Sequence, residues 1–183
     1  MKKYEFTNDN IYTGGHILHR IRSLIDIENL GVKTGDLGGF IEKETNLAHT
    51  GDAWVYGDAM VYGNAWVCDD ALVYDNARVY GNARVYGNAW VYGNAWVCGD
   101  AWVCGDADVF IKSNILTIGP IGSRNDVTTF FKGKNKKIYV KCGCFVGTTD
   151  EFLEKVSKTH GSNKHAEVYK LATRLAIAQI DAE

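Results

Sequence analysis

A six-residue repeat runs without interruption through the middle of this chain. Alanine recurs at every sixth position from Ala53 to Ala107, and a valine follows each alanine two residues later, from Val55 to Val109. Ten consecutive hexads therefore begin A-x-V-(Y/C/F), and the first nine continue with Gly or Asp and then Asn or Asp. A period of six fits one short strand followed by one turn, in which the alanine and the valine point to one face and x to the other.

The polar pair that closes each hexad is suited to a corner, because Gly, Asn and Asp adopt left-handed backbone angles with little strain. Three strand-and-corner sides make a triangular coil of about 18 residues, and successive coils pair as parallel strands about 4.8 Å apart. Alanine and valine then line the interior of the coil in unbroken columns. We predict an all-β core for this region.

The hexads resemble those of the hexapeptide-repeat family of left-handed parallel β-helices, in which a branched aliphatic residue and the small residue two places before it point inward. The resemblance covers residues 53–110 and implies a left-handed parallel β-helix of about three and a half coils. One position departs from the family pattern, since the residue after the aliphatic is usually small and is mostly tyrosine here. The leader, with the sequence GDLGGFIE, is similar to that of a bacterial and phage-borne branch of such proteins.

The segments that flank the repeat are predicted to cap it, because a β-helix exposes unpaired strand edges at both ends. We expect an N-terminal capping segment at residues 1–52, the β-helix at 53–112 and a small C-terminal α+β domain at 113–183. In the leader, a short apolar strand or turn is expected between Ile17 and Ile27, before glycine-rich turns.

In the C-terminal domain the sequence predicts three strands separated by turns, with a lysine-rich hairpin tip. Thr148 and Glu151 have the spacing of a capping box that opens a first helix. A second helix is predicted from about Asn163 to Ile180. One apolar stripe of this helix is of the kind that faces a domain core, and it consists of Val168, Leu171, Leu175 and Ala178.

The outward x residues of the coils sort into three faces when positions are stacked by eighteen. The first face carries Trp54, Leu72, Trp90 and Asp108, the second Met60, Arg78 and Trp96, and the third Trp66, Arg84 and Trp102. An exposed Trp-Leu-Trp column is costly unless something covers it. Because the family it resembles forms trimers by packing prism faces, we predict an oligomer interface at Trp54, Leu72 and Trp90, in a homotrimer or a multiple of one. Packing against the chain's own terminal segments is the alternative.

The second and third faces place arginine one coil away from tryptophan, and such a ladder can bind an aromatic or anionic ligand by stacking and cation–π contact. Alternatively, the arginines only shield the tryptophans. The loop GPIGSRND and the lysines near the hairpin tip add groups that can neutralise an anion, or they form a solvated turn. The candidate ligand-binding residues are Arg78, Arg84, Trp66, Trp96, Trp102, Arg124, Lys132 and Lys136.

Catalytic and metal-binding groups are sparse in the sequence. Acyltransferases of the resembled family use a histidine on or near a coil as general base. Only His49 lies near the coils, and we expect it to act as a cap, so no catalytic residue is predicted. Four residues have the side-chain types of zinc ligands and form a weak candidate metal site: Cys142, Cys144, His160 and His165. Alternatively, the two cysteines are simply buried in the cap. We expect no cofactor.

Charge and composition exclude several classes of partner. The formal net charge is −2, so a nucleic-acid polymer is not expected as a partner. The sequence has no stretch that predicts a signal peptide or a membrane span, and five cysteines without an export signal suggest a reducing cytoplasm. We expect no association with membranes.

These observations favour a non-catalytic oligomeric binding protein of phage or prophage type. Its rigid coils would present pockets to a small anionic ligand, such as a host-defence signalling nucleotide, or to a host protein. Two alternatives stay open: an acyl- or acetyltransferase of the hexapeptide-repeat kind, and a structural assembly protein.

Overall fold

The computed structural model describes residues 1–180, and its centre is a β-solenoid of about four turns. The wall of the solenoid consists of ten strands of two residues each, β4–β13. Their bounds are Trp54–Val55, Met60–Val61, Trp66–Val67, Leu72–Val73, Arg78–Val79, Arg84–Val85, Trp90–Val91, Trp96–Val97, Trp102–Val103 and Asp108–Val109. The repeat thus forms one short strand per hexad, as the sequence predicts.

The strands pair in parallel with the strand one coil away, and they build three separate faces. On the first face Trp54 is in register with Leu72, and Leu72 with Trp90. On the second face Met60, Arg78 and Trp96 share one register. On the third face Trp66, Arg84 and Trp102 do so. The three predicted columns are therefore confirmed.

The interior of the solenoid is a continuous apolar column of alanine and valine. Every alanine and valine of the ten hexads has at most 1% of its surface exposed. Alternating a small and a branched side chain on each side fills the narrow prism without voids, which explains why the two residues recur in strict phase.

At the corners, the backbone adopts positive φ angles. Most corners carry glycine, for example Gly81 at φ +75°, but Asp69 and Asp75 adopt φ of 59° and 60° in the same position of the hexad. Each of these two aspartates accepts a hydrogen bond from the amide of the glycine one coil further on, Gly87 or Gly93. The hydrogen bond offsets the strain of a left-handed non-glycine residue.

One row of corners carries a chain of side-chain hydrogen bonds. Lys43 Nζ donates to Asn64 Oδ1 over 3.1 Å, Asn64 Nδ2 to Asn82 Oδ1 over 3.2 Å, and Asn82 Nδ2 to Asp100 Oδ1 over 2.9 Å. All donors point the same way, so the chain runs from a cation to a carboxylate.

We expect the substitution Asn82→Asp to destabilise the protein by about 1–2 kcal/mol, because it replaces a donor to Asp100 with a second carboxylate. The deficit should shrink as the pH falls from 7 towards about 4, since protonation of either carboxylate restores a donor. Urea unfolding at several pH values measures this effect. Asn82→Ala removes the same hydrogen bonds without adding charge, and its deficit should not vary with pH in this way. Equal pH dependence in the two variants would refute the explanation.

The N-terminal segment caps the first coil with a hairpin of two strands, β1 (Tyr4–Thr13) and β2 (His16–Ser23), followed by β3 (Leu37–Ile41). Strand β3 pairs antiparallel with β2 and parallel with β5, so the hairpin continues the second face of the solenoid. The ten-residue strand β1 was not predicted from the sequence, because polar residues interrupt its apolar pattern.

Two side chains donate hydrogen bonds to backbone carbonyl oxygens at the start of the solenoid. The buried ammonium of Lys3 donates to the carbonyl oxygens of Ala53 and Gly51, and burial lowers the pKa of Lys3 to about 8. The buried Asn46, at the end of a 3-10 helix at Glu44–Asn46, donates to the carbonyl oxygen of Ala65 over 2.7 Å. These side chains supply the partners that a preceding coil would otherwise provide.

Trp54 is the clearest correction to the sequence-based interface. Its exposed fraction is 0%, and the Tyr4 ring packs edge-on to it with centroids 6.4 Å apart. The chain's own leader therefore covers this end of the first face. Trp54 has no surface left for another subunit, and of the three predicted interface residues only Leu72 and Trp90 stay accessible.

The C-terminal segment forms a four-stranded antiparallel sheet followed by two helices, one strand more than predicted. The strands are β14 (Ile115–Ile121), β15 (Asp126–Lys132), β16 (Ile138–Cys142) and β17 (Phe145–Thr148), and the helices are α1 (Thr149–His160) and α2 (Lys164–Ile180). The capping box between Thr148 and Glu151 is present at the start of α1. A 3-10 helix at Lys112–Asn114 joins this unit to the solenoid.

Helix α2 is rotated relative to the sequence-based prediction. Leu171 and Leu175 are 52% and 55% exposed, Ala178 is exposed, and Val168 is only partly buried. The opposite side packs on the domain core instead, through Ala166, Tyr169, Ala172, Thr173, Ala176 and Ile180. The stripe prediction was wrong because small residues and one tyrosine, rather than the leucines, fit the close approach of α2 to the sheet. Within residues 1–180, no helix has the length and apolarity needed to cross a membrane.

Candidate functional site

The third face of the solenoid carries an alternating row of aromatic and cationic side chains. Trp66 on β6 is 42% exposed, Arg84 on β9 is exposed, and Trp102 on β12 is half-buried. The guanidinium carbon of Arg84 lies 4.8 Å from the centre of the Trp102 ring. The parallel register places each of the three residues one coil from the next, which brings the predicted residues Trp66, Arg84 and Trp102 together.

A second cation reaches Trp102 from the C-terminal sheet. Lys141 on β16 places Nζ 4.7 Å from the centre of the Trp102 ring and donates to the carbonyl oxygen of Gly143. Thr129 on β15 accepts a hydrogen bond from the Trp102 amide over 3.1 Å. We call Trp66, Arg84, Trp102 and Lys141 the third-face ladder.

Three hollows flank the third-face ladder. One of them lies towards the N-terminal cap and is lined by Glu44, Thr45, Leu47, Ala48, His49, Asn64, Trp66 and Arg84. The other two adjoin Trp102. A cleft of about 370 Å³ lies between the solenoid and the C-terminal sheet, lined by Asp100, Trp102, Asp126, Val127, Thr129, Lys141 and Gly143. A shallower hollow of about 530 Å³ is lined by Trp66, Cys68, Asp69, Arg84, Tyr86 and Trp102. Arg124 borders the cleft, because a Cβ on Gly143 would lie 3.3 Å from Arg124 Nη1. The structure thus brings Arg124 to the same side as the ladder.

Of the two cations in the third-face ladder, Arg84 is exposed to solvent and Lys141 is buried. Among residues 1–180, neither Arg84 nor Lys141 forms a salt bridge; Arg84 lies over the Trp102 ring, whereas the Lys141 side chain is buried and donates to the Gly143 carbonyl oxygen. The aspartates nearby keep their negative charge, since Asp100 and Asp69 accept hydrogen bonds only from neutral amides and Asp126 lines the same cleft as Lys141. An anion at the third-face ladder therefore meets the exposed Arg84 most directly.

The polar groups beneath the ladder are held in their neutral forms. Burial raises the pKa of the Cys68 thiol to about 11, and burial likewise raises the pKa of Cys104. Burial, together with a hydrogen bond to Cys104, raises the pKa of Tyr86 above its usual range. Protonated thiols are poor nucleophiles, so these cysteines fill space at the corners.

His49 sits at the end of the third face and acts as part of the cap. Its ring stacks on Tyr4 with centroids 4.6 Å apart, and its Nδ1 accepts a hydrogen bond from the Lys3 amide. Burial lowers the pKa of His49. A general base needs a free nitrogen next to the proton it removes, and here Nδ1 is occupied by the backbone.

The second face repeats the pattern with different partners. Arg78 lies 5.5 Å from the centre of the Trp96 ring, and Lys112 places Nζ 3.4 Å from the same centre. Tyr80 packs edge-on to Trp96, with centroids 6.5 Å apart. Trp96 is 39% exposed, close to the 42% of Trp66, so ring exposure alone does not distinguish the two faces.

The remaining candidate residues lie elsewhere. Lys132 ends β15 and Lys136 lies in the turn that follows, at φ +62°, next to the start of α1. They do not line the hollows at the third-face ladder. The lysine-rich turn is a hairpin tip, as predicted, but the structure separates it from the tryptophans of the third face.

The weak metal candidate is not assembled. No group of three or more potential ligands forms a metal site within the described part of the chain, residues 1–180. The Cys142 thiol instead accepts a hydrogen bond from Thr128 and lies 3.8 Å from the Tyr169 hydroxyl. His160 and His165 pack against each other with ring centroids 5.9 Å apart, and Cys144 is exposed.

Sequence reasoning missed the three lysines that complete the tryptophan environments. Lys112 lies over Trp96, Lys134 over Trp90 at 4.0 Å, and Lys141 over Trp102. Lys134 and Lys141 come from the segment after the repeat, and Lys112 is the last residue of the tenth hexad. No pattern in the sequence relates them to the tryptophans, because the pairing depends on how the C-terminal sheet folds back on the solenoid.

Comparison with known proteins supports the β-solenoid fold of the repeat and gives no information on the flanking segments. Residues 53–69, 71–87, 77–93 and 83–99 match a family model described as the YdcK beta solenoid repeat. These matches cover about a quarter of the chain, and they make it similar to β-solenoid repeat proteins. No curated protein matches the sequence.

Proposed function

We propose that the chain is a non-catalytic binding protein that holds a planar, anionic small molecule on its third-face ladder. The observation that carries the proposal is the pair of cations, Arg84 and Lys141, on the Trp102 ring, next to the open ring of Trp66. Aromatic surface and unpaired cations together suit a ligand with a flat ring and a phosphate or carboxylate, and a signalling nucleotide has this chemistry.

The spacing supports stacking with simultaneous charge contact. Trp66 and Trp102 are two coils apart, about 10 Å, with Arg84 between them. A planar ring stacked on Trp66 would place its anionic group beside the Arg84 guanidinium, whose planar fork suits phosphate and carboxylate. Base–aromatic stacking contributes about 1–3 kcal/mol in comparable sites.

Several features favour binding over catalysis. The cysteines under the ladder are neutral, and His49 is used by the cap. A rigid wall of paired strands also suits recognition without rearrangement, since its side chains are fixed by register.

The test is isothermal titration with cyclic dinucleotides and ADP-ribose, together with native mass spectrometry of protein purified gently from cells. We expect binding of at least one probe, and Arg84→Gln should weaken it by about 10- to 100-fold, because a charged hydrogen bond contributes about 1.5–3 kcal/mol. Trp66→Ala should weaken it by a similar factor.

The matched control is Arg78→Gln, which makes the same change at the same hexad position on the second face. This variant should bind within twofold of the unchanged protein. Loss of binding in Arg78→Gln alone would move the site to the second face. An absence of bound mass and of heat with every probe would refute the small-molecule function and favour a host protein as the partner.

We also propose finer features of fold and setting that the same observations support. The six-residue period and the inward Ala–Val columns support a left-handed coil of the hexapeptide-repeat type, and the GDLGGFIE leader supports a phage-borne origin. Five free cysteines are in keeping with a reducing cytoplasm. The partly buried Leu72 and the exposed Trp90 support a trimer through the first face, now without Trp54.

A further inference from the structure

Helix α2 presents an apolar stripe to solvent that its own domain does not use. Leu171 and Leu175 are 52% and 55% exposed, and they lie on one side of the helix with Val168 and Ala178. The spacing of three and four residues is that of the a and d positions of a heptad. A stripe of this kind on an exposed helix marks a contact surface.

Opposite charges flank this stripe one heptad apart. Glu167 and Arg174 are both exposed, and they occupy the position just before each a residue. Neither side chain forms a salt bridge with any residue in the range 1–180. The other flank of the stripe is taken up by the domain itself, because Ala172 is buried.

We propose that α2 packs antiparallel against α2 of a second copy of this chain, about a two-fold axis near Lys170 and Leu171. In that arrangement Val168 of each copy faces Leu171 of the other, and Leu175 lies over the aliphatic part of Lys164 of the other copy. Glu167 of each copy then lies beside Arg174 of the other, so two equivalent ion pairs close the accessible flank. A two-fold interface of this kind is self-complementary, as an isologous contact requires.

The positions of Glu167 and Arg174 favour a second copy of this chain as the partner and an antiparallel orientation of the two helices. In a parallel pair of helices, the flank of one helix that carries Glu167 and Arg174 would meet the Ala172 flank of the other helix, which is already buried in its own chain. Glu167 and Arg174 would find no partner there. The antiparallel pair brings the two accessible flanks together, with opposite signs in contact. This two-fold contact is independent of the ligand site on the third face and of a trimer through the first face.

The test is a charge-reversal cycle followed by light scattering or mass photometry. Glu167→Arg alone places four arginines at the interface, and Arg174→Glu alone places four glutamates there. Each single variant should halve the mass of the assembly at micromolar concentration. The double variant Glu167→Arg/Arg174→Glu restores opposite charges and should recover the full mass.

Mixing the two single variants provides the sharpest arm of the test. A chain with Glu167→Arg and a chain with Arg174→Glu are complementary to each other, so the mixture should regain the doubled mass that neither variant shows alone. Both sites are exposed, and far-UV circular dichroism should show that each variant stays folded.

Other results would overturn the proposal. An unchanged mass in both single variants shows that α2 is not an interface between copies. Loss of mass without recovery in either the double variant or the mixture excludes the antiparallel Glu167–Arg174 pairing. A further control, Leu171→Glu, should also halve the mass, whereas Lys155→Glu on α1 should not.

Discussion

Replacing Trp54 with alanine is expected to lower the free energy of unfolding by about 3–5 kcal/mol. Trp54 is the largest fully buried side chain, with an exposed fraction of 0%, and it joins the leader to the first coil through Tyr4. The substitution removes these contacts and leaves a cavity between the leader and the first coil. Urea unfolding followed by far-UV circular dichroism measures the loss.

The matched control is Trp90→Ala, two coils further along the same face. Trp90 is 39% exposed, and its described partner is Lys134 with Nζ 4.0 Å from the ring centre. We expect a loss of about 1 kcal/mol, the size of an exposed cation–π contact together with partial burial. If the two variants lose the same free energy of unfolding in the monomer, burial under the leader does not explain the contribution of Trp54 to stability.

The comparison also separates structure from assembly. If Leu72 and Trp90 contact another subunit, then Trp90→Ala should reduce the oligomer mass while leaving the fold intact. Trp54→Ala should act in the opposite way, since it weakens the fold of each chain before it affects any contact between chains.

The repeat made the solenoid predictable from sequence. A period of six, held for ten hexads, fixes the phase of every side chain, so the assignment of Trp66, Arg84 and Trp102 to one face follows from counting alone. The alanines and valines could be placed inside for the same reason. Contacts between successive coils recur with the period of the repeat, so they can be predicted from the sequence.

The two ends could not be predicted in the same way, because their contacts depend on tertiary packing. The cover over Trp54 comes from residues about fifty positions earlier, and no local pattern relates Tyr4 to Trp54. The buried side of α2 was misassigned since the strongest apolar stripe was taken to face the core. Small residues allow closer packing than leucine does, and in this domain close packing decides the orientation.

The candidate site likewise contains residues that the sequence placed correctly and residues that it did not. Sequence placed the two tryptophans and the arginine of the third face correctly, but not Lys141, which comes from the C-terminal sheet. It also grouped Lys136 with the site on the basis of charge alone. A cluster of like charges in the sequence indicates a solvated turn more strongly than a shared site, and the hairpin tip fits that interpretation.

Replacing Gly81 with alanine is expected to be strongly destabilising, because Gly81 lies at a solenoid corner that the next coil covers. Gly81 has φ +75°, and a Cβ there would lie 2.9 Å from the amide nitrogen of Gly99, one coil further on. Gly99 itself has φ +66° but nothing within 4 Å of its Cβ position, because it is at the last corner of its row. Gly99→Ala therefore measures the backbone strain alone, about 1–2 kcal/mol. Gly81→Ala adds the steric clash, and we expect a further loss of about 1–3 kcal/mol.

An aspartate at the same corner provides the decisive comparison. Asp69 and Asp75 already occupy corners of this type, and each accepts a hydrogen bond from the glycine amide of the next coil. Gly81→Asp can accept from the Gly99 amide in the same way, so it should cost less than Gly81→Ala although its side chain is larger. If steric size alone limited these corners, aspartate would instead be the worse of the two. Thermal unfolding of the three variants in parallel distinguishes these cases, because the order of their melting temperatures reverses between them.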